Sequence, residues 1–403
     1  MKKNIKNIKN KKRNILPKFT FIFLLFCLIL IVSNVKMTNN ISIGLSIQHQ
    51  KYWVGGKYKL LIYKCLNNSI EKIYLRISNN RVEELSDGYF LMKSSGRECI
   101  TAYMRNKKSK ICFTIYNTPE LKFKETNPIK IEINNVKQVN LVGRDYPKLN
   151  VNFISNHPDI IKINNEGKIT AMRPGNAIIT AMGLDGKKTQ IKVVAFSNNG
   201  LINNYTLDQN NASQYQKVMI VAHPDDETLW GGAHLIKERY FVVCLTNGYN
   251  LDRANDYREI LKFTKNNGII LNHPDLQDNI IDDWSEFGIG IKKDLSKIIK
   301  YKFWETIVTH GPDGTTGHIH HKKICEYITK ITKECNIYKN LYYFGTFFAK
   351  NKMPKYLSKI SDEELEYKKK LVVIYKSKRD IIYKEYFHML PYENWILASN
   401  WKE

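Results

Sequence analysis

The stretch "MIVAHPDDETLWGG", Met219 to Gly232, decides how the second half of the chain is read. The apolar run Val218 to Ala222 is too short for a helix and has the unbroken hydrophobicity of a strand buried on both faces. His223, Pro224 and two aspartates follow at once, and Glu227 and Thr228 then open a helix expected over Thr228 to Lys237, where acidic residues suit the dipole. Gly231 and Gly232 would let that helix approach the sheet closely. Strand, polar turn and helix in this order form half of a parallel β-α-β unit.

Working outward, the same alternation continues. Strands are expected at Phe241 to Thr246, Thr306 to Thr309 and Leu341 to Phe344. Helices are expected at Asp252 to Asn267, Ile289 to Lys300 and His321 to Cys335. Residues 217–403 therefore read as an α/β domain, Rossmann-like, with a mostly parallel sheet. Sites in such sheets form at the carboxyl ends of strands, and His223 and His310 each sit just past one. The charged segment Ser361 to Tyr386, with interleaved Leu, Val, Ile and Tyr, is expected to pack on this domain as one amphipathic helix.

Residues 41–197 have a different texture, short alternating segments broken by turn residues. They contain an internal repeat: Gly88 and Gly167, Gly96 and Gly175, and the Ile-Thr-Ala triplets at Ile100 and Ile179 share one offset. Two all-β domains are expected, at 41–118 and 119–197. The Asn- and Ser-rich stretch 198–216 reads as a linker. Residues 1–18 are basic and 19–37 largely apolar, the pattern of a signal peptide or signal-anchor whose basic end stays cytoplasmic. The remainder would be exported, with the membrane as a partner of the N-terminus.

Six cysteines lie beyond the apolar run with no CxxC pair, which argues against a cysteine-based zinc site. Cys99 and Cys112 flank a strand turn and are close enough in sequence to pair. The formal charge of +25 is spread along the chain without a nucleic-acid-binding signature, so no nucleic-acid partner is expected.

The tripeptide His-Pro-Asp occurs at His157, His223 and His273. The first and third read as proline-directed turns, although His273, Asp275 and Asp278 follow a strand of the α/β domain. Only the middle copy has a second carboxylate and a helix behind it. His223 and Asp226, three apart at a strand end, can converge on one metal ion, while Asp225 faces elsewhere, towards water. A third ligand must come from a distance. The segment "THGPDGTTGHIHHKKI", Thr309 to Ile324, supplies His310, His318, His320 and His321.

Together "AHPDDE", the "TNG" at Thr246 to Gly248 and "GHIHH" resemble the PIG-L/LmbE family of zinc-dependent N-deacetylases. The resemblance implies His223, Asp226 and His321 as ligands of one Zn2+ per chain and Asp225 as general base. It implies His318 as the residue that stabilises the tetrahedral intermediate. His320 stands where the family often has Asp or Asn, and His310 and Asp313 are candidates for a supporting or substrate role. Tyr249 and Asn250 replace an acidic residue common after T-x-G. With Glu259 taken as the acid of the family's R-x-x-E, Asp256 falls at the arginine, with Arg253 and Arg258 nearby. The all-β segment resembles bacterial Ig-like repeats, usually spacers or adhesion modules that touch wall polymers or proteins.

The activity implied is removal of an N-acetyl group from an amino sugar in a surface glycan, wall polymer or glycolipid. Trp230, Tyr249 and Trp284 are candidates to stack on sugar rings. The competing reading is a non-catalytic surface adhesin whose α/β domain has degenerated.

Overall fold

The computed structural model describes residues 42–47, 51–65, 72–104, 107–142 and 151–402. The basic and apolar segments at 1–18 and 19–37 lie outside them. Among the described residues no helix is long and apolar enough to cross a membrane. The chain divides into two compact units, the first ending at Thr118 and the second beginning at Pro119.

The first unit is a β-sandwich of two four-stranded sheets. Strand Gly96–Met104 shows why: its even positions from Glu98 to Met104 are buried and the residues between them are half-buried. Leu60, Phe90 and Met92 from one sheet meet Tyr52, Ile100 and Ile115 from the other in one apolar cluster. Cys99 and Cys112 lie opposite each other on neighbouring antiparallel strands and form a disulfide.

The second unit opens with another sandwich, a four-stranded and a three-stranded sheet closed around Ile160, Ile169, Ile179 and Val193. The internal repeat is visible in the backbone. Gly88 and Gly167 have φ of 75° and 79°, and Gly96 and Gly175 have φ of 123° and 150°, conformations that favour glycine.

The remainder is a three-layer α/β fold around a six-stranded sheet. Its order is Asn267–His273, Tyr240–Thr246, Lys217–Val221, Thr306–Thr309, Leu341–Tyr343, Ile396–Leu397, all parallel except the last. Val218 and Ile220 face helices Gly288–Lys300 and Ile319–Glu334. Met219 and Val221 face helices Asp226–Lys237, Leu251–Phe263 and Asp362–Ile374. The order reverses between Lys217–Val221 and Thr306–Thr309, and the crevice beyond their carboxyl ends is where such folds bind ligands. Gly231 lies close against the sheet: a Cβ there would fall 2.5 Å from Met219 Cε, so the methionine tip would have to move. Gly232 instead faces Lys368 and Leu371 of the C-terminal helix.

Three sequence expectations change. The stretch 198–216 is not a free tether: it holds helix Asn204–Gln209, and Ile202, Leu207, Ala212 and Tyr215 are buried in the α/β core. A few spaced apolar side chains suffice to dock a segment whose other residues are polar. The helix expected to reach Asn267 stops at Phe263, because Lys265 takes a left-handed turn and the Asn266 side chain accepts the Tyr240 N–H. The single helix expected over Ser361 to Tyr386 breaks after Ile374. There Tyr375 turns its hydroxyl inward to Glu227 and Ser377 binds the Asp256 carboxylate.

Candidate functional site

The site is built on the turn after strand Lys217–Val221. Asp225 adopts φ 119°, an unusual conformation for a residue with a side chain, and the turn is held from below. Glu227 Oε2 accepts the Asp225 N–H at 3.1 Å, and its other oxygen accepts from Thr228 and Tyr375. Burial pushes the Glu227 carboxyl up to about 7 against those hydrogen bonds.

Asp226 begins the helix, and its Oδ2 is the hub of the site. It accepts the His223 N–H at 2.8 Å, and lies 3.3 Å from His223 Nδ1 and 3.2 Å from His321 Nε2. His223 Nδ1 and His321 Nε2 are themselves 3.2 Å apart. A tetrahedral zinc with bonds of about 2.0–2.1 Å separates its donors by roughly 3.3 Å. These three atoms thus fit one face of a zinc coordination shell.

The hydrogen bonds behind them orient the lone pairs. His321 Nδ1 lies 2.9 Å from the Gly314 carbonyl, an acceptor only, so the tautomer it favours carries its hydrogen on Nδ1 and presents the Nε2 lone pair. His310, wholly buried, stacks on His321 with ring centres 3.6 Å apart, accepts the Ala222 N–H and lies 3.4 Å from Asp226 Oδ2. Asp313, by contrast, accepts the Thr315 N–H and shapes the loop.

Behind His223 stands Asp275, Oδ1 3.3 Å from His223 Nε2. Asn247 donates to Asp275, and Arg253 lies 3.5 Å from it. The third His-Pro-Asp copy is therefore more than a turn: its aspartate supports the middle copy's histidine. Its own His273 is buried against Asp294, 2.8 Å away. The first copy's His157 lies 3.1 Å from Asp278 and takes no part in the cluster.

Of the two arginines near position 256, Arg253 is the one that reaches the turn, whereas Arg258 binds Asn255. Arg253 donates to the Pro224 carbonyl at 2.7 Å and lies 3.6 Å from Asp225. Burial pushes the Asp225 carboxyl up to about 6 against the pull of Arg253, near the range of a general base at neutral pH. Asn250 caps the helix that carries Arg253, accepting the Arg253 N–H.

His318 is the N-cap of helix Ile319–Glu334, with Nδ1 accepting the His320 N–H. A neutral ring then carries its hydrogen on Nε2, a donor. Burial, with His223 and His321 nearby, pushes its pKa down to about 4 and keeps it neutral.

These groups open into a cleft of about 640 Å3 lined also by Trp230, Tyr249, Thr316, Lys378 and Tyr386. Of the aromatics singled out for sugar stacking, Trp284 is excluded: it is buried and stacks on His320. Trp230 is also largely buried, packed edge-on against Phe347 and Tyr386. Tyr249 is half-buried at the rim with the Arg173 guanidinium 3.7 Å over its ring.

Residues 218–332 match the family model described as PIG-L: GlcNAc-PI de-N-acetylase. This segment is a PIG-L family domain. Within the PIG-L domain lie His223, Asp225, Asp226, Arg253, Asp275, His318 and His321, whereas Lys378 and Tyr386 of the cleft come from beyond the matched residues. Over 191 residues the chain is 29% identical to an uncharacterised protein, L374, of Acanthamoeba polyphaga mimivirus, covering 43% of this chain and 77% of the relative. Among solved structures it is similar to domains 4 and 5 of the S-layer protein SbsC, at 13% identity over 39% of this chain and 98% of that one. It is also similar to invasin, a bacterial integrin-binding protein, at 12% identity over 40% of this chain and 41% of that one. The TM-scores, 0.21 and 0.22, are too low to carry an inference about this chain.

Proposed function

We propose that the chain is an exported, zinc-dependent hydrolase that removes the N-acetyl group from an amino sugar of a surface glycan, wall polymer or glycolipid. The observation that carries this reading is the triangle of His223 Nδ1, Asp226 Oδ2 and His321 Nε2, with sides of 3.2–3.3 Å, beside the Asp225 carboxyl. A PIG-L domain fits an N-acetylated sugar as substrate. Export is supported by the basic and apolar N-terminal sequence and by the Cys99–Cys112 disulfide, which suits an oxidising compartment.

A zinc ion held by the three donors would supply Lewis acidity towards water and the amide carbonyl. Asp225 takes the proton from the attacking water, and Arg253 keeps its carboxylate aimed into the cleft. His318 donates from Nε2 to the oxygen that becomes negative as the carbonyl carbon turns tetrahedral. The proton that Asp225 took passes to the departing amine, which returns Asp225 to its carboxylate form. The repeats would act as spacers or wall contacts, and the N-terminus as the membrane attachment.

The test is metal analysis of the purified chain, followed by acetate release over a panel of N-acetylated amino sugars, wall fragments and glycolipids. Stoichiometric zinc with chelator-sensitive acetate release is expected. A chain that binds no metal and holds glycans without turnover would instead be the adhesin.

A further inference from the structure

We infer that His320 is a positioning residue that fixes which nitrogen of His223 faces the metal, and that the second β-sandwich holds it in place through Asn176 and Asp282. The inference rests on the zinc site proposed above.

His320 is fully buried between His223 and the loop at Asp282. Its Nε2 contacts the Asp282 main-chain carbonyl, an atom that only accepts, so Nε2 carries the hydrogen. In a singly protonated ring Nδ1 is then an acceptor, and it lies 3.0 Å from His223 Nε2. His223 must therefore donate from Nε2, towards His320 Nδ1 and the flanking Asp275 Oδ1 at 3.3 Å. In the neutral ring that a metal ligand must be, its Nδ1 is then a bare lone pair, facing Asp226 and His321. The Asp282 carbonyl, acting two rings away through His320, and the Asp275 carboxylate thus favour the same ligating tautomer. An Asp or Asn at this position would provide an acceptor without needing a carbonyl behind it, whereas a histidine needs Asp282.

The Asp282 loop is braced from two sides. The ring of Trp284 stacks on His320 at 4.0 Å and 4°, and its Nε1 donates to the Pro274 carbonyl. Asp282 Oδ1 accepts the Trp284 N–H at 2.7 Å, and Oδ2 accepts from Asn176 Nδ2 at 3.1 Å. Asn176 belongs to strand Gly175–Met182 of the sandwich, and its N–H also donates to the Gln277 side chain of the same loop. A module that sequence alone reads as a spacer therefore supports the site.

The experiment compares the full-length protein with His320→Asn, His320→Leu and Asn176→Ala. Zinc affinity is read by competition with a chromogenic chelator and the ligand field by absorption of the Co2+-loaded protein, with circular dichroism as a check on folding. Loss of a partner behind a ligating histidine weakens metal binding by about 10- to 100-fold. His320→Leu is expected to show that loss and an altered Co2+ spectrum. His320→Asn is expected to restore most of the affinity, because its carbonyl accepts the same hydrogen. Asn176→Ala is expected to fall between the parent and His320→Leu. Parental affinity in His320→Leu, or equal weakness in His320→Asn and His320→Leu, would overturn the role of His320. Parental affinity in Asn176→Ala would overturn the sandwich's share. A parent that takes up no zinc would overturn the metal reading itself, a result distinct from these.

Discussion

Asp225 Oδ2 and Arg253 Nη2 lie 3.6 Å apart at the cleft, and the same guanidinium stands 3.5 Å from Asp275 and 2.7 Å from the Pro224 carbonyl. One side chain therefore ties the proposed base to the carboxylate behind His223. Arg253→Met is expected to lower kcat/KM for acetate release by about 100-fold, the scale of an ångström-sized misplacement at a reacting centre. Arg253→Lys should recover only part, since a single ammonium lacks the fork that reaches all three partners.

A second ion pair fixes the helix that carries Asp226. The Lys368 and Glu393 side chains are fully buried 2.6 Å apart, and Glu393 also accepts from the N–H groups of Ala233 and His234. Burial pushes the Glu393 carboxyl up, but Lys368 and His234 outweigh it and hold the pKa down at about 2, against an ordinary 4.5. A depressed carboxylate contributes its full stability above pH 4.5, and loses it as the pH falls towards 2. Glu393→Gln leaves the Lys368 ammonium buried without its counter-ion and should cost about 3–5 kcal/mol at pH 7. Thermal unfolding of parent and variant should differ most at neutral pH and converge near pH 2.

The disulfide makes a third expectation. Cys99 and Cys112 close a short loop on adjacent strands. Replacing both by Ser should destabilise the first unit by about 2–4 kcal/mol in denaturant unfolding. Acetate release should be unchanged, since none of the residues assigned to the site lies in that unit.

Much of the site was legible because its parts are written as short motifs at strand ends. His223, Asp226 and His321 were singled out from two distant segments, and the fold brings their donor atoms together. The β-α alternation was equally plain, because buried parallel strands are continuous apolar runs. What the sequence hid depends on sheet order. Asp275 belongs beside His223 only because strand Asn267–His273 follows Tyr240–Thr246 in the sheet, two places from Lys217–Val221. Arg253 was seen but not placed, since a helix boundary a turn away changes which side chain reaches the turn. The break at Tyr375 was illegible for a different reason. Ser361 to Tyr386 carries helical spacing throughout, and only the buried Glu227 explains why Tyr375 leaves it. Trp284 misled in the same way, as a large aromatic near a strand end that serves His320 rather than a ligand.

Asp225 is the residue on which the proposed water activation depends. Asparagine keeps the tolerance for positive φ that position 225 needs and the shape of the side chain, but cannot take a proton. Purified Asp225→Asn should hold zinc at the parental stoichiometry while acetate release from an N-acetylglucosamine-containing substrate falls by about 10²- to 10⁴-fold. Undiminished release from the zinc-loaded variant would contradict the role given to Asp225 and the mechanism built on it.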